Sequence, residues 1–264
     1  MVQRRKVLLT GLLGSMGPAA LRAADDHTGG DPLGSMQWPT LRKEYLADAP
    51  MEFTEAVIVR TPAFADDAMN VPLQIDARRL SGTAGGVKRI WVVVDRNPVR
   101  EVLSFEPLKA LPMLSFRIRL EQASPVRAMV QTQDGRWHVG GTWAQAAGGG
   151  CTVPGATRAD GSWSKTLNQV QARIFGNVIE GSRRLRLRVM HPMDTGLVAG
   201  IPAFYIEQLE LLDSKGEAWW RLALHEPVSE NPLLTLELPA EGPREFRLRG
   251  HDNNGNRIEA EVRA

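Results

Sequence analysis

The chain has 264 residues, a formal net charge of +2 and a single cysteine. Its first 24 residues contain Arg4, Arg5, Lys6 and Arg22 and no acid, so the charge of the remaining chain is −2. A chain so near neutrality gives no reason to expect a nucleic-acid or anionic-membrane partner. One cysteine excludes an internal disulfide, and about 240 residues allow one large or two small domains.

The N terminus has the pattern of an export signal. A basic start, Arg4-Arg5-Lys6, precedes a short apolar run over residues 7–13 and small residues at 19–24. Because the apolar run is too short to span a membrane, residues 1–24 are predicted to be a cleaved signal peptide, with no membrane span in the mature chain. The paired arginines fit a twin-arginine signal, but many Sec signals contain them too, so both export routes stay open. Either route predicts a periplasmic protein.

The first half of the mature chain, residues 25–151, is predicted to be almost entirely β-structure. The best helical pattern covers residues 41–47. Further on, Phe116, Ile118 and Leu120 alternate with charged residues, which is typical of a strand with one buried and one wet face. Strands are predicted at 52–60, 71–80, 87–95, 99–106, 116–121, 126–133 and 136–145, the last two joined by an Asp-Gly turn.

Cys151 stands at the end of this half, behind Gly148, Gly149 and Gly150. Three glycines remove the side chains that would pack a cysteine into a core, so we expect a flexible and exposed arm. A solvated thiol keeps a pKa near its ordinary value of about 8.5 and is only slightly ionised at neutral pH. The sequence therefore predicts a thiol that is accessible but weakly reactive at rest.

Apolar alternation stops at residues 152–168, where Thr, Pro, Gly, Asp and Ser accumulate, and this segment is predicted to link two domains. In the second half, residues 169–264, alternation returns with Leu185, Leu187 and Val189 between arginines. Strands recurring at short spacing with turns between them indicate β-sandwiches. They are predicted at 169–175, 183–191, 203–213, 217–225, 232–238, 244–250 and 257–263.

Other candidate site residues carry weaker signals. His138, Arg158 and Lys165 are near enough to Cys151 in sequence to be considered as electrostatic helpers, but nothing in the sequence shows that they face it. His191 and Met193 are possible soft copper ligands, yet two ligands do not make a site. A structural turn is the favoured interpretation of that loop, so no metal is predicted.

The order of these segments resembles a known family. The first half is similar to SoxY, the cysteine-bearing subunit of a sulfur-oxidation carrier, through residues 71–75, 87–98, 116–120 and 126–135 and the glycine-flanked cysteine that follows. The second half is similar to SoxZ, the partner subunit, through residues 191–196, 201–206 and 228–232. The two sets of motifs occur in tandem and cover nearly all of the mature chain.

The resemblance implies two immunoglobulin-like β-sandwich domains in tandem and a periplasmic carrier that holds sulfur intermediates covalently on Cys151. It implies no catalytic activity of its own and no cofactor. Fused SoxY–SoxZ chains are similar to a group associated with quinoprotein dehydrogenases, so the expected partners are sulfur-oxidising or quinoprotein and cytochrome redox enzymes. One departure matters, because the SoxY cysteine lies in a free tail, whereas here Thr152 and Val153 follow and the chain continues.

A different class of function also fits the sequence. The chain could be a non-covalent accessory or binding module for a quinoprotein dehydrogenase, with Cys151 incidental. The sequence contains no P-loop, no dinucleotide fingerprint and no zinc-protease or nucleophile-elbow motif. A thiol-dependent enzyme is the least favoured interpretation, because no base or orienting group can be placed beside the thiol from the sequence. A covalent adduct on Cys151 would separate the first two interpretations.

Overall fold

The computed structural model describes residues 26–47, 49–82, 86–179 and 181–264. The predicted signal peptide, residues 1–24, lies outside the described residues. Within the described ranges, no helix is both long enough and apolar enough to cross a membrane.

The described residues of the first half form one α-helix, a short 3-10 helix (Arg78–Leu80) and eight strands. Helix α1 begins earlier than predicted, because Pro39 favours the first turn of a helix. The elements are α1 (Trp38–Leu46), β1 (Met51–Phe53), β2 (Ile58–Arg60), β3 (Val71–Asp76), β4 (Val87–Val94), β5 (Glu101–Glu106), β6 (Met113–Ile118), β7 (Ser124–Thr132) and β8 (Trp137–Ala144).

The second half forms seven strands, preceded by two short helices that the sequence did not predict. These helices, α2 (Ala156–Ala159) and α3 (Trp163–Thr166), lie within residues 152–168. The strands are β9 (Val170–Ile179), β10 (Ser182–Val189), β11 (Ile206–Asp213), β12 (Ala218–Leu224), β13 (Leu233–Pro239), β14 (Glu245–Asp252) and β15 (Arg257–Arg263).

The strands form two sheets that run through both halves. The nine-stranded sheet has the order β1-β8-β7-β4-β5-β12-β11-β14-β15, and the six-stranded sheet has the order β2-β3-β6-β13-β10-β9. Each half thus contributes strands to both sheets and forms a two-layer sandwich, in which neighbouring strands are antiparallel except for the parallel pair of β1 and β8. The predicted fold class, all-β with two immunoglobulin-like sandwiches in tandem, is confirmed.

Strand pairing joins the two halves directly. β5 pairs with β12 from Leu103 opposite Leu224 to Glu106 opposite Arg221, and β6 pairs with β13 through Leu114 opposite Leu236. One cluster of buried apolar side chains includes residues of both halves. The halves are therefore held together by both sheets and by a shared core, in addition to the covalent connection.

Two predicted strands are shorter than the apolar pattern suggested. The stretch 52–60 divides into β1 and β2, in different sheets, because the Thr54 hydroxyl accepts the N–H of Ala56 and turns the chain. The stretch 71–80 ends at Asp76, whose carboxylate accepts the backbone N–H of Arg78 at 3.1 Å. In both places a short polar side chain accepts the backbone N–H of the residue two positions further on, and the strand ladder is interrupted there.

Cutting the connection between the halves is expected to leave them associated, because β5–β12 and β6–β13 do not depend on it. A protease site inserted after Gly161, an exposed glycine between α2 and α3, allows the cut in the folded protein. Size-exclusion chromatography with light scattering should give one species with the mass of the uncut chain. Elution of two species of about half the mass would contradict the shared-core arrangement.

Candidate functional site

Cys151 is buried, with 1% of its surface exposed. It lies where the end of β6 and the glycine segment meet the loop of residues 190–195 from the second half. The expectation of an exposed arm is therefore wrong for this conformation. The arm is docked against both halves of the molecule.

Backbone hydrogen bonds hold the arm in place. Gly149 and Gly150 donate their N–H groups to the carbonyls of Glu121 and Leu120, at 2.8 and 3.1 Å. The Cys151 N–H donates to the Glu121 carboxylate at 3.1 Å, and the Cys151 carbonyl accepts the Thr195 hydroxyl at 2.7 Å. Because these bonds use only the backbone of the arm, they do not constrain the chemistry of the sulfur.

Two of the three glycines, Gly148 and Gly150, serve close packing in this docked state, whereas a Cβ on Gly149 would meet no atom within 4 Å. A Cβ on Gly150 would lie 2.1 Å from the carbonyl oxygen of Ala68 and 2.9 Å from that of Leu120, which no side chain could accommodate. Gly148 has φ +91°, where side chains are strained, and its Cβ would lie 2.9 Å from the Glu121 carbonyl oxygen. Sequence reasoning attributed these glycines to flexibility, whereas the structure shows a tight fit at two of them.

Arg119 lies beneath the arm and connects the two halves. Its side chain is buried, with 1% of the residue exposed, and it donates to four backbone carbonyls at 3.3–3.4 Å. Two of these belong to the arm, at Gly150 and Val153, and two to the second half, at Pro192 and Met193. The alternating pattern had placed Arg119 on a wet strand face, but β6 ends at Ile118.

The electrostatics of the pocket keep the thiol protonated. Burial and, to a smaller extent, the Glu121 carboxylate raise the pKa of Cys151 to about 12, with Arg119 opposing both effects. Desolvation in turn lowers the pKa of the Arg119 guanidinium. At neutral pH the thiolate fraction in the docked arm is on the order of one in 10⁵, against a few per cent for a solvated thiol. The expected pKa of about 8.5 does not apply to the docked arm.

The three suggested helper residues lie elsewhere. His138 on β8 lies 2.8 Å from a glutamate of β1, and Arg158 on α2 pairs with Asp194 and stacks over a tryptophan of α3. No described interaction joins Lys165 to the thiol. The charges that act on Cys151 are Glu121 and Arg119, and the sequence signal for both was misleading because each fell on the predicted wet face.

The loop that contains His191 and Met193 has a structural role. The Met193 N–H donates to Nδ1 of His191 at 3.1 Å, and the Met193 sulfur accepts the N–H of Ile206 at 3.3 Å. Burial lowers the pKa of His191 to about 4, so the imidazole is neutral at pH 7. Among the described residues no group of three or more His, Cys, Asp or Glu side chains could hold a metal. The geometry supports the turn interpretation, since the loop presents its carbonyls to Arg119.

The fold consists of two joined β-sandwiches, and the one thiol of the chain lies on an arm docked against both of them. These features place the chain among β-sandwich proteins that carry a thiol. Two family models match it in tandem, "Sulfur oxidation protein SoxY" over residues 42–151 and "Sulphur oxidation protein SoxZ" over residues 177–263. The chain belongs to the SoxYZ-type sulfur-oxidation carriers, with SoxY and SoxZ fused in one polypeptide. The SoxY match ends at Cys151.

A solved structure of related type is the sulfur carrier protein SoxY from Chlorobium limicola f thiosulfatophilum. It is 18% identical in sequence, and the alignment covers 42% of this chain and 96% of that one, with a TM-score of 0.36. Among curated proteins, no relative matches the sequence.

Removing the hydroxyl that holds the Cys151 carbonyl should release the arm more often. Thr195→Val keeps the shape of the side chain but leaves a buried carbonyl unpaired, which costs about 1–2 kcal/mol and raises the undocked fraction about tenfold. Iodoacetamide should therefore alkylate Cys151 about tenfold faster than in wild type. Thr40→Val, at an exposed position of α1, is the matched control. Equal rates in all three proteins would show that the Thr195 bond does not hold the arm.

Docking of the arm should weaken at alkaline pH. Between about 8.5 and about 12, an undocked thiol loses a proton that the docked thiol keeps, so docking is strongest below pH 8.5 and declines as the pH rises. The measurable quantity is the alkylation rate of a free cysteine peptide divided by that of the protein. This ratio should be constant below about pH 8.5 and fall about tenfold per pH unit above it.

The pH experiment requires that the fold itself persist, which far-UV circular dichroism at each pH checks. A rate ratio that stays constant to pH 10.5 would mean that alkylation does not proceed through an undocked arm in which the thiol has an ordinary pKa of about 8.5.

Proposed function

We propose that the chain is a periplasmic carrier that holds sulfur intermediates covalently on Cys151 and presents them to partner redox enzymes. Membership of the SoxYZ-type carriers supports a sulfur-oxidation role. The observation that carries the assignment to Cys151 is its place on the arm, where the described hydrogen bonds of residues 149–151 use backbone atoms and leave the sulfur to change its chemistry. The chain supplies attachment, protection and presentation, and the partners supply catalysis.

The docked arm is a protected resting state of such a carrier. A thiolate is the form that reacts with oxidants and disulfides, and the raised pKa of Cys151 suppresses it. The periplasm is an oxidising compartment, in which an exposed thiolate would be captured or over-oxidised. Burial therefore preserves the thiol until a partner engages the arm.

Loading requires the arm to leave its pocket. A sulfur–sulfur bond between Cys151 and a thiol-like sulfur donor forms with loss of two protons and two electrons, and the electrons go to the partner redox enzyme. The added group is bulky and, if it is an oxyanion, charged. Beside the Glu121 carboxylate and in the space that now holds a bare thiol, it would meet both steric and electrostatic resistance. The loaded arm is therefore favoured in the undocked position.

The tethered geometry limits how far the sulfur can travel. The arm is anchored on one side by β8 and on the other by the N–H of Thr157, which donates to Glu230 at 3.0 Å. A loop of about twelve residues held at both ends lifts its centre by roughly 20 Å at most. A partner must therefore bring its active site within that distance of the anchors, or must also detach α2 and α3 to lengthen the loop.

The accessory-module alternative is favoured by one observation, which is the burial of Cys151. Buried cysteines behave as small apolar residues and are commonly inert. In that case the chain would bind a quinoprotein dehydrogenase without carrying any covalent intermediate. The same fold and the same periplasmic location would serve this function.

The decisive experiment is intact-mass spectrometry of protein purified without reductant, before and after incubation with an inorganic sulfur donor and a sulfur-oxidising partner enzyme. Mass increases that correspond to whole sulfur atoms, with or without oxygen, are expected in wild type and should be reversed by thiol reductant where the bond is a disulfide or persulfide. Cys151→Ser, the control, should show none. Unmodified wild-type protein in the presence of an active partner would support the accessory module.

A further inference from the structure

The outer face of the six-stranded sheet carries unpaired arginines beside the arm. Arg186 of β10 lies directly opposite Arg173 of β9, Arg188 follows on the same face of β10, and Arg117 lies on β6. All four side chains are exposed. Together they line a groove of about 850 Å³ across the sheet.

The placement of Arg173 opposite Arg186 lowers the stability of the fold. Like charges directly opposite each other in neighbouring antiparallel strands are destabilising. Among the residues that the structure describes, no carboxylate lies within ion-pair distance of these four guanidinium groups. The repulsion between Arg173 and Arg186 is therefore not neutralised within the described chain, and an anionic group of another molecule would reduce it.

Three exposed arginines of the other sheet do have ion-pair partners. On the nine-stranded sheet, Arg247 lies 3.5 Å from Glu261 and Arg263 lies 3.7 Å from Glu245, both across the β14–β15 pair. Arg221 lies 3.6 Å from a glutamate of β11. The groove face differs from these positions, because none of its four arginines has an ion-pair partner among the described residues and two of them lie directly opposite each other.

Two acidic side chains also line the groove, but both are already used. Asp67 accepts the Met69 N–H at 2.8 Å and the Asn70 amide at 2.7 Å. Glu230 accepts the N–H of Thr157 at 3.0 Å. Neither carboxylate neutralises the arginine pair, so the groove presents an excess of positive charge.

An apolar contact surface lies within the same groove. Phe175 of β9 is 38% exposed, and the Arg173 guanidinium lies 5.3 Å from the centre of its ring. Arginine and aromatic side chains are the types enriched in protein–protein interfaces. Arginine also binds carboxylates through two parallel hydrogen bonds.

We propose that this groove, defined by Arg117, Arg173, Arg186 and Arg188, is the docking site for an acidic segment of a partner protein. The inference rests on the proposed carrier function and names the surface by which the partner engages. Ala156, five residues after Cys151, lines the groove. Glu230 fastens the neighbouring Thr157, so an occupant of the groove lies beside the anchored end of the arm.

An acidic protein segment fits the groove better than a nucleic acid does. A nucleic-acid binder presents an extended basic surface and a strongly positive domain, whereas this chain without its first 24 residues has a formal charge of −2. The positive charge here is confined to one strand-lined groove with an aromatic side chain. That pattern matches a short acidic peptide with an apolar residue.

The test measures binding of a fluorescein-labelled decaglutamate peptide to the full chain by anisotropy, at about 20 mM and about 200 mM salt. The variant is Arg173→Ser with Arg186→Ser. The matched control is Arg247→Ser with Arg263→Ser, which removes the same charge from the outer face of the nine-stranded sheet. We expect the groove variant to bind about tenfold more weakly than wild type, the control to change by less than about twofold, and wild-type binding to weaken at the higher salt.

Stability supplies a second readout. Because the groove variant removes a like-charge pair, its melting temperature should be equal to or above that of wild type, whereas a structural role for these arginines predicts a lower one. The inference is overturned if the peptide does not bind wild type at low salt, if both variants lose binding equally, or if a single-stranded oligonucleotide of matched charge binds the groove more tightly.

Failure of this inference is distinguishable from failure of the carrier function. Both double variants keep Cys151, so its sulfur adducts can be measured by intact mass in each. Adducts on Cys151 together with unchanged peptide binding in the groove variant would overturn the docking surface alone. If the groove variant loses peptide binding but wild type shows no adduct, the docking surface is supported and the carrier function is contradicted.

Discussion

The docked arrangement depends on one buried cation. The Arg119 guanidinium donates to two carbonyls of the arm and two of the second half, while its Nε has no hydrogen-bond partner. In the part of the chain that the structure describes, no carboxylate lies at hydrogen-bond distance from this guanidinium, and the more distant Glu230 only partly compensates its burial. Burying such a charge is costly, and carbonyl oxygens offset only part of that cost. When the arm lifts, Arg119 loses the acceptors at Gly150 and Val153. The docked arm therefore supplies two of the four carbonyl oxygens that solvate this cation.

The same site reconciles a buried thiol with a carrier. A permanently exposed thiol would be accessible to partner enzymes, and it would be equally accessible to oxidants. In the docked arm, desolvation and the Glu121 carboxylate raise the pKa of Cys151, and the hydrogen bonds of Cys151 itself use only its backbone atoms. These bonds do not involve the sulfur, but ionisation or modification of the sulfur still weakens docking, because the thiol is buried beside Glu121. In the proposed carrier, undocking of the arm controls access to the thiol.

Because the two halves are fused in one chain, both sides of the thiol pocket belong to the same folded unit. The continuous pairing of β5 with β12 and of β6 with β13 fixes the loop of residues 190–195 against the end of β6. The thiol pocket exists only where these elements meet. The arginine groove crosses the same six-stranded sheet, and Ala156 in its lining lies five residues after Cys151.

The sequence by itself determined the strands, the two-half organisation of motifs and the position of the one cysteine, because alternation over a few residues and short motifs are local properties. It placed Arg119 and Glu121 on a wet face, since alternation continues in the letters past Ile118 where the strand stops. It assigned the glycines to freedom of the arm, because a single chain segment does not show which carbonyl will lie 2.1 Å from a Cβ. Burial of Cys151, its raised pKa and the unpaired arginines of the groove all require two or more distant segments to meet. Only the tertiary structure brings those segments together, and it alone decided them.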